Sequence, residues 1–242
     1  MEVLKNVING VLDLVYPKKI NCLYCGTPLK NFNDHELCGY CISLLPVLGE
    51  GVCNTCGRPL EREERAVCED CKDAQFDKCL SVFEFSGIAK DMLHRFKYDG
   101  EDYMSHPIGL FMAEKLKSKS WDVDIIIPVP LHSDKLKERG YNQSYLLAEV
   151  VGRECDIDVL NGGLIRNRYT KSQFNLSKTE RRNNIKGAFE IGSAKKIKGS
   201  NILLIDDIMT TGATLNECSS VLKSFGARKI YCLTAATPSS VK

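Results

Sequence analysis

Hydrophobic residues follow three different patterns along the chain. From residue 81 to the end, short uninterrupted apolar runs such as 125–127 and 202–205 alternate with longer amphipathic segments. An uninterrupted run of β-branched residues and leucines predicts a strand buried on both faces, as in a parallel sheet. Amphipathic segments between such strands predict covering helices, so we expect residues 81–242 to form an α/β domain. The predicted strands are 81–85, 124–130, 198–206 and 229–235, and the predicted helices are 88–97, 107–116, 142–152 and 213–225.

The first twenty residues show the second pattern, in which apolar residues recur every three or four positions. This spacing predicts a helix with one apolar face, and Pro17 ends it. The apolar face either docks on a membrane surface or a partner protein, or it packs on the chain itself. Because the opposite face is not rich in lysine, we favour packing on the chain itself.

The third pattern is a lack of periodicity in residues 21–80, a segment rich in cysteine and in turn-forming residues. Eight of the twelve cysteines lie here as four C-x-x-C pairs, separated by 12, 11 and 11 residues. A small secreted disulfide scaffold would carry cysteines throughout its length, so this confinement favours metal thiolates in a reducing compartment. The paired cysteines are Cys22, Cys25, Cys38, Cys41, Cys53, Cys56, Cys68 and Cys71.

Two C-x-x-C turns supply the four thiolates of one tetrahedral zinc site, so four pairs predict two zinc ribbons. We expect consecutive pairs to share a metal ion, and an interleaved cross-brace is the alternative. Four thiolates leave no open coordination position, which favours structural zinc over catalytic zinc. The two ions would then stabilise a module whose hydrophobic core is too small to fold alone.

Composition and charge narrow the class of protein only slightly. The chain has 242 residues, of which 43% are hydrophobic and 26% are charged, and this excludes disordered and fibrous proteins. No apolar run approaches the roughly 20 residues of a membrane span, and the first residues lack the pattern of a signal peptide. We therefore expect a cytoplasmic protein with three segments, an amphipathic helix (1–20), a double zinc ribbon (21–80) and an α/β domain (81–242).

The most informative segment is I-L-L-I-D-D-I-M-T-T-G-A-T-L, residues 202–215. Its apolar strand delivers Asp206 and Asp207 to its carboxyl end, where open α/β sheets bind ligands. The loop that follows opens a helix, so backbone N–H groups, hydroxyl groups and the helix N-terminus form an anion cradle. The two acids would accept hydrogen bonds from the 2′- and 3′-hydroxyls of a ribose, and the cradle would hold its 5′-phosphate. The segment therefore fits a ribose phosphate. The cradle residues are Thr210, Thr211, Gly212, Ala213 and Thr214.

This segment resembles the 5-phosphoribosyl-1-diphosphate (PRPP) signature of type I phosphoribosyltransferases. Residues 128–132 (P-V-P-L-H) and 139–143 (R-G-Y-N-Q) stand where that superfamily has its pyrophosphate-binding loop and the following helix. Residues 168–189 stand where it has a flexible catalytic loop and its return. Together with the four C-x-x-C pairs, these stretches resemble the ComF family of competence proteins, which is related in its catalytic half to amidophosphoribosyltransferase.

The resemblance implies the type I phosphoribosyltransferase fold, a parallel sheet flanked by helices, for residues 81–242. It also implies binding of PRPP with Mg²⁺, through the acid pair, the cradle, Val129 and Pro130. In a transferase reaction the catalytic residues would be the acid pair together with Lys171 and Arg139, which would neutralise the leaving diphosphate. Lys97 is a further candidate cation, and His132 is expected to be a capping residue rather than a general base.

The resemblance further implies a role in natural transformation, in the uptake or processing of single-stranded DNA at the cytoplasmic side of the membrane. Candidate partners are PRPP, single-stranded DNA and the helicase or channel proteins of the DNA-uptake machinery. Residues 166–198 contain ten basic and two acidic residues, with Tyr169 and Phe174 among them. Such a segment can close on a diphosphate or follow a nucleic-acid backbone, and a solvated charged surface is the alternative.

Three functions fit these observations. The chain is a phosphoribosyltransferase with an unknown acceptor, a non-catalytic module that binds single-stranded DNA under PRPP control, or a zinc-ribbon adaptor with the α/β domain as scaffold. Both acids and the whole T-T-G loop are present, which argues against the scaffold. We favour retained transferase chemistry. The sequence does not separate the first two functions, because PRPP binding and turnover require the same residues.

Overall fold

The structure, a computed structural model, describes residues 20–31, 33–60, 67–68, 71, 73–170 and 177–239. The helix predicted over residues 1–20 lies outside the described residues. The chain divides into two compact units, Met1–Leu44 and Leu45–Lys242. This division separates the first two C-x-x-C pairs from the last two.

The second unit contains the strands and nearly all of the helices. In chain order the strands are β1 (Lys78–Glu84), β2 (Ile125–Pro128), β3 (Leu164–Arg166), β4 (Phe189–Ile191), β5 (Asn201–Ile208) and β6 (Lys229–Thr237). The helices are α1 (Gly39–Ser43), α2 (Gly87–Tyr98), α3 (Ser105–Lys117), α4 (Ser133–Arg139), α5 (Gln143–Cys155), α6 (Lys178–Ile185) and α7 (Ala213–Ser224). In the described part of the chain, none of these helices has the length and apolar character needed to cross a membrane.

Four strands form one parallel sheet in the order β1-β6-β5-β2. Strand β5 lies between β6 and β2, and its first five residues are buried on both faces. Its apolar run therefore has the burial that a parallel strand requires. The predicted α/β class with a helix-flanked parallel sheet is confirmed, and each predicted strand and helix of residues 81–242 is present with its ends shifted by three residues at most.

Helices α3 and α5 approach each other unusually closely beside the sheet. A Cβ atom added to Gly109 of α3 would lie 2.6 Å from the side chain of Val150 of α5. Because real Cβ atoms do not come this close to other heavy atoms, this position of the helix pair needs glycine. The contact fixes the position of α5, whose first turn reaches the carboxyl edge of the sheet.

Strands β3 and β4 form a separate two-stranded antiparallel sheet that the apolar pattern does not predict. Each strand is three residues long, and each has one buried, one exposed and one half-buried residue. Three residues are too few to show a period of two, so only pairing with the partner strand defines them.

Candidate functional site

The paired cysteines lie in two groups of four. Within each group the four sulfur atoms lie within 4.8 Å of one another. The first cysteine group is Cys22, Cys25, Cys38 and Cys41, and the second cysteine group is Cys53, Cys56, Cys68 and Cys71. Consecutive pairs therefore share a site, as the sequence predicts, and the interleaved arrangement is not formed.

The sulfur spacing fits a tetrahedral metal ion. A zinc ion with Zn–S bonds of about 2.3 Å places its sulfur atoms about 3.8 Å apart. The Sγ atoms of Cys25 and Cys38 are 3.8 Å apart, and those of Cys56 and Cys68 are 3.6 Å apart. Backbone amides within the C-x-x-C turns also donate to ligand sulfur atoms. In the first group the Cys41 amide donates to Cys38 Sγ at 3.4 Å, and in the second the Cys56 amide donates to Cys53 Sγ at 3.5 Å. The donor set and its spacing fit Zn²⁺.

Three thiols of the second cysteine group, those of Cys56, Cys68 and Cys71, have pKa values shifted in different directions. A hydrogen bond from Cys71 lowers the pKa of Cys56 to about 5. The same interaction, together with burial, raises the pKa of Cys71, and burial raises the pKa of Cys68 to about 11. One thiolate thus forms at the expense of its neighbours, and a divalent cation would stabilise all four. The two groups support two structural zinc ions.

The acid pair, Asp206 and Asp207, lies near the carboxyl end of strand β5. Strand β5 continues to Ile208, so Asp206 and Asp207 belong to the strand rather than to the loop after it. Asp206 Oδ1 accepts a hydrogen bond from the Ser144 hydroxyl at 3.0 Å and another from the Asp207 amide at 2.9 Å. Asp207 is 7% exposed, and its Oδ1 accepts from the Ile208 amide at 2.8 Å. The structure thus holds both carboxylates in fixed positions.

Lys97 of α2 lies at the acid pair. Its Nζ is 2.6 Å from Oδ2 of Asp207, and the two side chains are 24% and 11% exposed. Burial lowers the pKa of Lys97, but the charge and the hydrogen bond of Asp207 outweigh burial, and the pKa is raised overall. Burial and the charge of Asp207 raise the pKa of Asp206 to about 7. One cation therefore faces two carboxylates, and the site retains acceptor oxygens for hydroxyl donors or a metal ion.

The threonine loop, residues 209–214, runs from the end of β5 into the first two residues of α7. Gly212 has φ +76° and is the N-cap of α7, a left-handed conformation that favours glycine. A Cβ atom there would meet only Met209 Sδ at 4.0 Å, so the backbone conformation rather than crowding requires the glycine. Thr211 Oγ1 accepts from the Ala213 amide at 3.4 Å. The twelve-residue helix adds a partial positive charge at its N-terminus, which favours a phosphate dianion.

Val129 and Pro130 follow β2, the strand next to the acid pair. The Val129 amide donates to the carbonyl of Ile205 at 2.9 Å, and the Val129 carbonyl accepts from the side-chain amide of Asn142 at 3.1 Å. These bonds keep the segment alongside β5 as it leaves the sheet. The predicted diphosphate segment and the predicted ribose-binding acids therefore lie on neighbouring strands.

The other predicted cations have different positions. The Arg139 guanidinium lies 5.5 Å from the centroid of the Tyr98 ring, at the end of α4. Lys171 lies outside the described residues. His132 is the N-cap of α4, and its Nδ1 accepts from the Asp134 amide at 3.3 Å. This is the capping role that the sequence predicts.

Two exposed tyrosines lie beside cations near these segments. Tyr98 is 63% exposed, and Tyr169 is 55% exposed with Lys135 Nζ 5.9 Å from its ring centroid. Burial and the positive charges of Arg166 and Arg139 lower the pKa of Lys135. The cations are thus close enough to repel one another. We name the side chains of Tyr98, Lys135, Arg139 and Tyr169 the tyrosine–cation rim.

Sequence reasoning missed Ser144 as part of the site. Ser144 is 4% exposed and is the second residue of α5. Its amide donates to the Asn142 side chain at 3.0 Å, which is an ordinary N-cap. A serine in the first turn of a helix is explained by capping alone. Its hydroxyl contact with Asp206 could only have been found from the preceding R-G-Y-N-Q motif together with the order of the strands in the sheet.

Comparison with known proteins gives two family matches and several relatives. The double zinc ribbon domain matches residues 11–72, and the phosphoribosyl transferase domain matches residues 146–241. Competence protein F of Haemophilus influenzae is 30% identical over 215 residues, 86% of this chain and 86% of that protein. Competence protein ComFC of Streptococcus pneumoniae is 30% identical over 226 residues, 87% of this chain and 97% of that protein. Adenine phosphoribosyltransferase from Leishmania donovani, a solved structure, is 14% identical, covers 59% of this chain and 68% of that chain, and has a TM-score of 0.38.

The two matched domains follow each other in the order of the features described above. The double zinc ribbon match includes both cysteine groups, and the phosphoribosyl transferase match includes the acid pair and the threonine loop. The two competence proteins are matched over most of their own lengths. This chain therefore belongs to the ComF family of competence proteins, with a double zinc ribbon followed by a phosphoribosyltransferase domain.

Proposed function

We propose that the chain binds PRPP with Mg²⁺ at the carboxyl edge of its parallel sheet and acts in natural transformation. The observation that carries the proposal is the position of Asp206 and Asp207, held by Ser144 and Lys97 on the strand that leads into the threonine loop. The acid pair matches the hydroxyl groups of a ribose 5-phosphate, and the helix N-terminus matches its phosphate group.

Each part of PRPP has a partner in this arrangement. The carboxylates accept from the 2′- and 3′-hydroxyls, and the amides and hydroxyls of the threonine loop donate to the 5′-phosphate. The backbone of Val129 and Pro130, directly after the neighbouring strand β2, would bind the diphosphate. Mg²⁺ is a hard ion that takes oxygen ligands, and when bound it would neutralise negative charge on the diphosphate.

We further propose that phosphoribosyl transfer is retained, with an acceptor yet to be identified. The bond between the anomeric carbon and the diphosphate oxygen breaks, and its electron pair leaves with the diphosphate. The acceptor nucleophile forms the new bond to the anomeric carbon, and its proton passes to the released diphosphate or to solvent. Arg139 and Lys171 are the proposed partners of the leaving group, and Lys135 adds a third cation beside Arg139.

The DNA role is supported by the tyrosine–cation rim. Exposed aromatic rings stack on bases of single strands, and nearby cations contact the phosphates. Tyr98 beside Arg139 and Tyr169 beside Lys135 provide two such units. Eight thiols that must stay reduced to bind zinc support a cytoplasmic location, and we propose that the protein acts there at the inner face of the membrane, with helicase or channel proteins of DNA uptake as partners.

The first experiment tests PRPP binding. In calorimetric titration with Mg²⁺ and PRPP, the double variant Asp206→Asn and Asp207→Asn should bind at least about tenfold more weakly than wild type, since about 1.4 kcal/mol is one decade. The matched control is Asp122→Asn with Asp158→Asn, which also removes two acids, both more than 70% exposed. Wild type that does not bind millimolar PRPP, or an acid-pair variant that binds normally, would refute the site.

The second candidate function is a non-catalytic module that binds single-stranded DNA under PRPP control, and the rim is the observation that favours it. Release of diphosphate from labelled PRPP, with and without single-stranded DNA, separates the two candidates. Release that stops in the acid-pair variant supports transfer. PRPP that changes DNA affinity without any release supports the regulated module.

A further inference from the structure

The second cysteine group carries a buried arginine that contacts the threonine loop. Arg58 directly follows the knuckle formed by Cys53, Cys56 and Gly57, and it is 7% exposed. Its guanidinium donates a hydrogen bond to the backbone carbonyl of Thr210, a residue 152 positions away. The contact joins a metal-binding turn to the loop that opens α7.

The knuckle itself is fixed on both sides. Cys53 and Gly57 close the turn, because the Gly57 amide donates to the Cys53 carbonyl at 2.8 Å and the Cys53 amide donates to the Arg58 carbonyl at 2.8 Å. Strand β1 lies against the turn, and the Cys79 amide donates to the Thr55 carbonyl at 2.6 Å. A Cβ atom at Gly57 would lie 2.8 Å from the Cys79 carbonyl oxygen. The turn therefore has little freedom to move once its sulfur atoms are held.

The threonine loop is fixed at its start and at its helix, and Arg58 contacts it between these points. The Met209 amide donates to Ala236 at 2.9 Å, and the Met209 carbonyl accepts from the Thr237 hydroxyl at 2.9 Å. In the first turn of α7, Asn216 accepts from the Gln75 amide at 2.6 Å. A pocket of about 220 Å³ adjoins the loop on the side of the second cysteine group. Arg58, Thr211 and Gly212 line this pocket. The Arg58 hydrogen bond therefore holds the Thr210 carbonyl at the edge of the pocket.

The first cysteine group provides an internal comparison. Its knuckle has the same sequence pattern, C-x-x-C-G-x-P, and the same hydrogen bonds, with the Gly26 amide on Cys22 and the Cys22 amide on Thr27. Thr27 stands where the second knuckle has Arg58, and it is exposed. The arginine is therefore not needed to form a zinc knuckle, and a role outside the metal site must explain it.

We propose that Arg58 is a positioning residue that transmits the state of the second cysteine group to the threonine loop. PRPP affinity then depends on metal at the second group and is independent of metal at the first. With metal bound, the knuckle keeps the guanidinium on the Thr210 carbonyl, which turns the neighbouring amides toward the phosphate. Loss of metal frees the knuckle and the loop together. This inference rests on the PRPP site proposed above.

The first test changes the arginine and leaves every thiol in place. Arg58→Met in the full chain should keep two zinc ions per chain by elemental analysis, keep its melting temperature within a few degrees, and bind Mg²⁺ with PRPP at least tenfold more weakly. Arg58→Lys, which can still donate to the carbonyl, should recover part of the affinity. The charge-matched control is Arg228→Met, whose guanidinium pairs with Asp122 and is 55% exposed, and it should bind within twofold of wild type.

The second test removes one metal ion at a time. Cys25→Ser and Cys56→Ser should each lower zinc to one ion per chain, and only Cys56→Ser should weaken PRPP binding. Normal PRPP affinity in Arg58→Met, or equal losses in the two cysteine variants, would overturn the proposal. If wild type binds no PRPP at all, that result refutes the proposed function and not the role of Arg58. The role of the Arg58 contact is then judged from backbone amide exchange of residues 210–213 without ligand. Arg58→Met should accelerate this exchange, and unchanged exchange would show that Arg58 does not position the loop.

Discussion

Asp206 and Asp207 place two carboxylates on consecutive residues of a buried strand, with the ammonium group of Lys97 beside Asp207. Burial and the charge of Asp207 raise the pKa of Asp206 from 3.8 to about 7. The folded protein therefore keeps a proton on Asp206 at pH values where the unfolded chain has lost it. Its stability falls as the pH rises through this interval, because ionisation of Asp206 is harder in the folded state.

Asp206→Asn should consequently make the protein more stable at pH 8 by about 1–3 kcal/mol, since one pKa unit corresponds to about 1.36 kcal/mol. The gain should shrink at pH 5, where the wild-type side chain is already protonated in the folded state. Urea unfolding at the two pH values measures it. Asp158→Asn is the control, since Asp158 is 72% exposed and its bond to Lys196 lowers its pKa, so its effect should have the opposite sign. A gain of equal size at both pH values would contradict the electrostatic cause.

The sequence predicts the acid pair and the threonine loop because both belong to one continuous segment. Lys97 is only one of several candidate cations in the sequence, and its place at Asp207 depends on how α2 packs. Ser144 reaches Asp206 from α5 and looks like a capping residue in isolation. Residues that complete a site from another helix are set by tertiary packing, which a local pattern does not contain.

Among the elements, those with long apolar patterns are predictable and the short polar ones are not. Helix α7 is predicted to within one residue and strand β5 to within three, because an apolar stripe marks the helix and an uninterrupted apolar run marks the strand. Helices α4 and α6 are mostly exposed and have no apolar stripe to mark them. The sheet of β3 and β4 depends on pairing between distant residues.

The contact between α3 and α5 at Gly109 gives a prediction at this scale. Gly109→Ala should destabilise the protein by about 1–3 kcal/mol, because its new methyl group would lie 2.6 Å from the side chain of Val150. Val150→Ala in the same chain removes that overlap and should restore part of the loss, measured as a coupling energy in a double-mutant cycle. Additive effects of the two changes would show that α3 and α5 do not meet at this point.

At the scale of the whole molecule, the formal charge of +2 gives no reason to expect nucleic-acid binding. The proposed binding of single-stranded DNA would therefore depend on where cations are gathered, and the tyrosine–cation rim and the segment 166–198 are two such places. Each phosphate that is neutralised on a single strand contributes about −0.7 to the slope of log affinity against log salt concentration.

Lys135→Glu with Arg139→Glu should therefore weaken binding of a thymidine oligonucleotide at least tenfold in 50 mM salt and make the salt slope shallower. Arg181→Glu with Arg182→Glu tests the basic segment in the same way. Fluorescence anisotropy over a salt series measures both, and Lys117→Glu with Lys119→Glu, at the end of α3, is the charge-matched control. Equal losses in all three variants would indicate a general charge effect, and the rim would have no special part in DNA binding.

The sequence does not predict how the molecule divides, because the two cysteine groups have nearly the same spacing and share the first-turn pattern C-x-x-C-G-x-P. Cys53 and Cys56 are 1% and 3% exposed and share a core with Met209 and Ala213. The second cysteine group thus belongs to the unit that contains the sheet, whereas the first belongs to the other unit. Spacing between cysteines determines which sulfur atoms meet but says nothing of what the finished turn packs against.

The paired knuckles have an evolutionary consequence. The turn has the same closing hydrogen bonds whether Thr27 or Arg58 follows its glycine, so the side chain at this position can change without loss of the turn. Such a position is open to mutations that gain a contact with a neighbouring loop while every metal ligand stays in place.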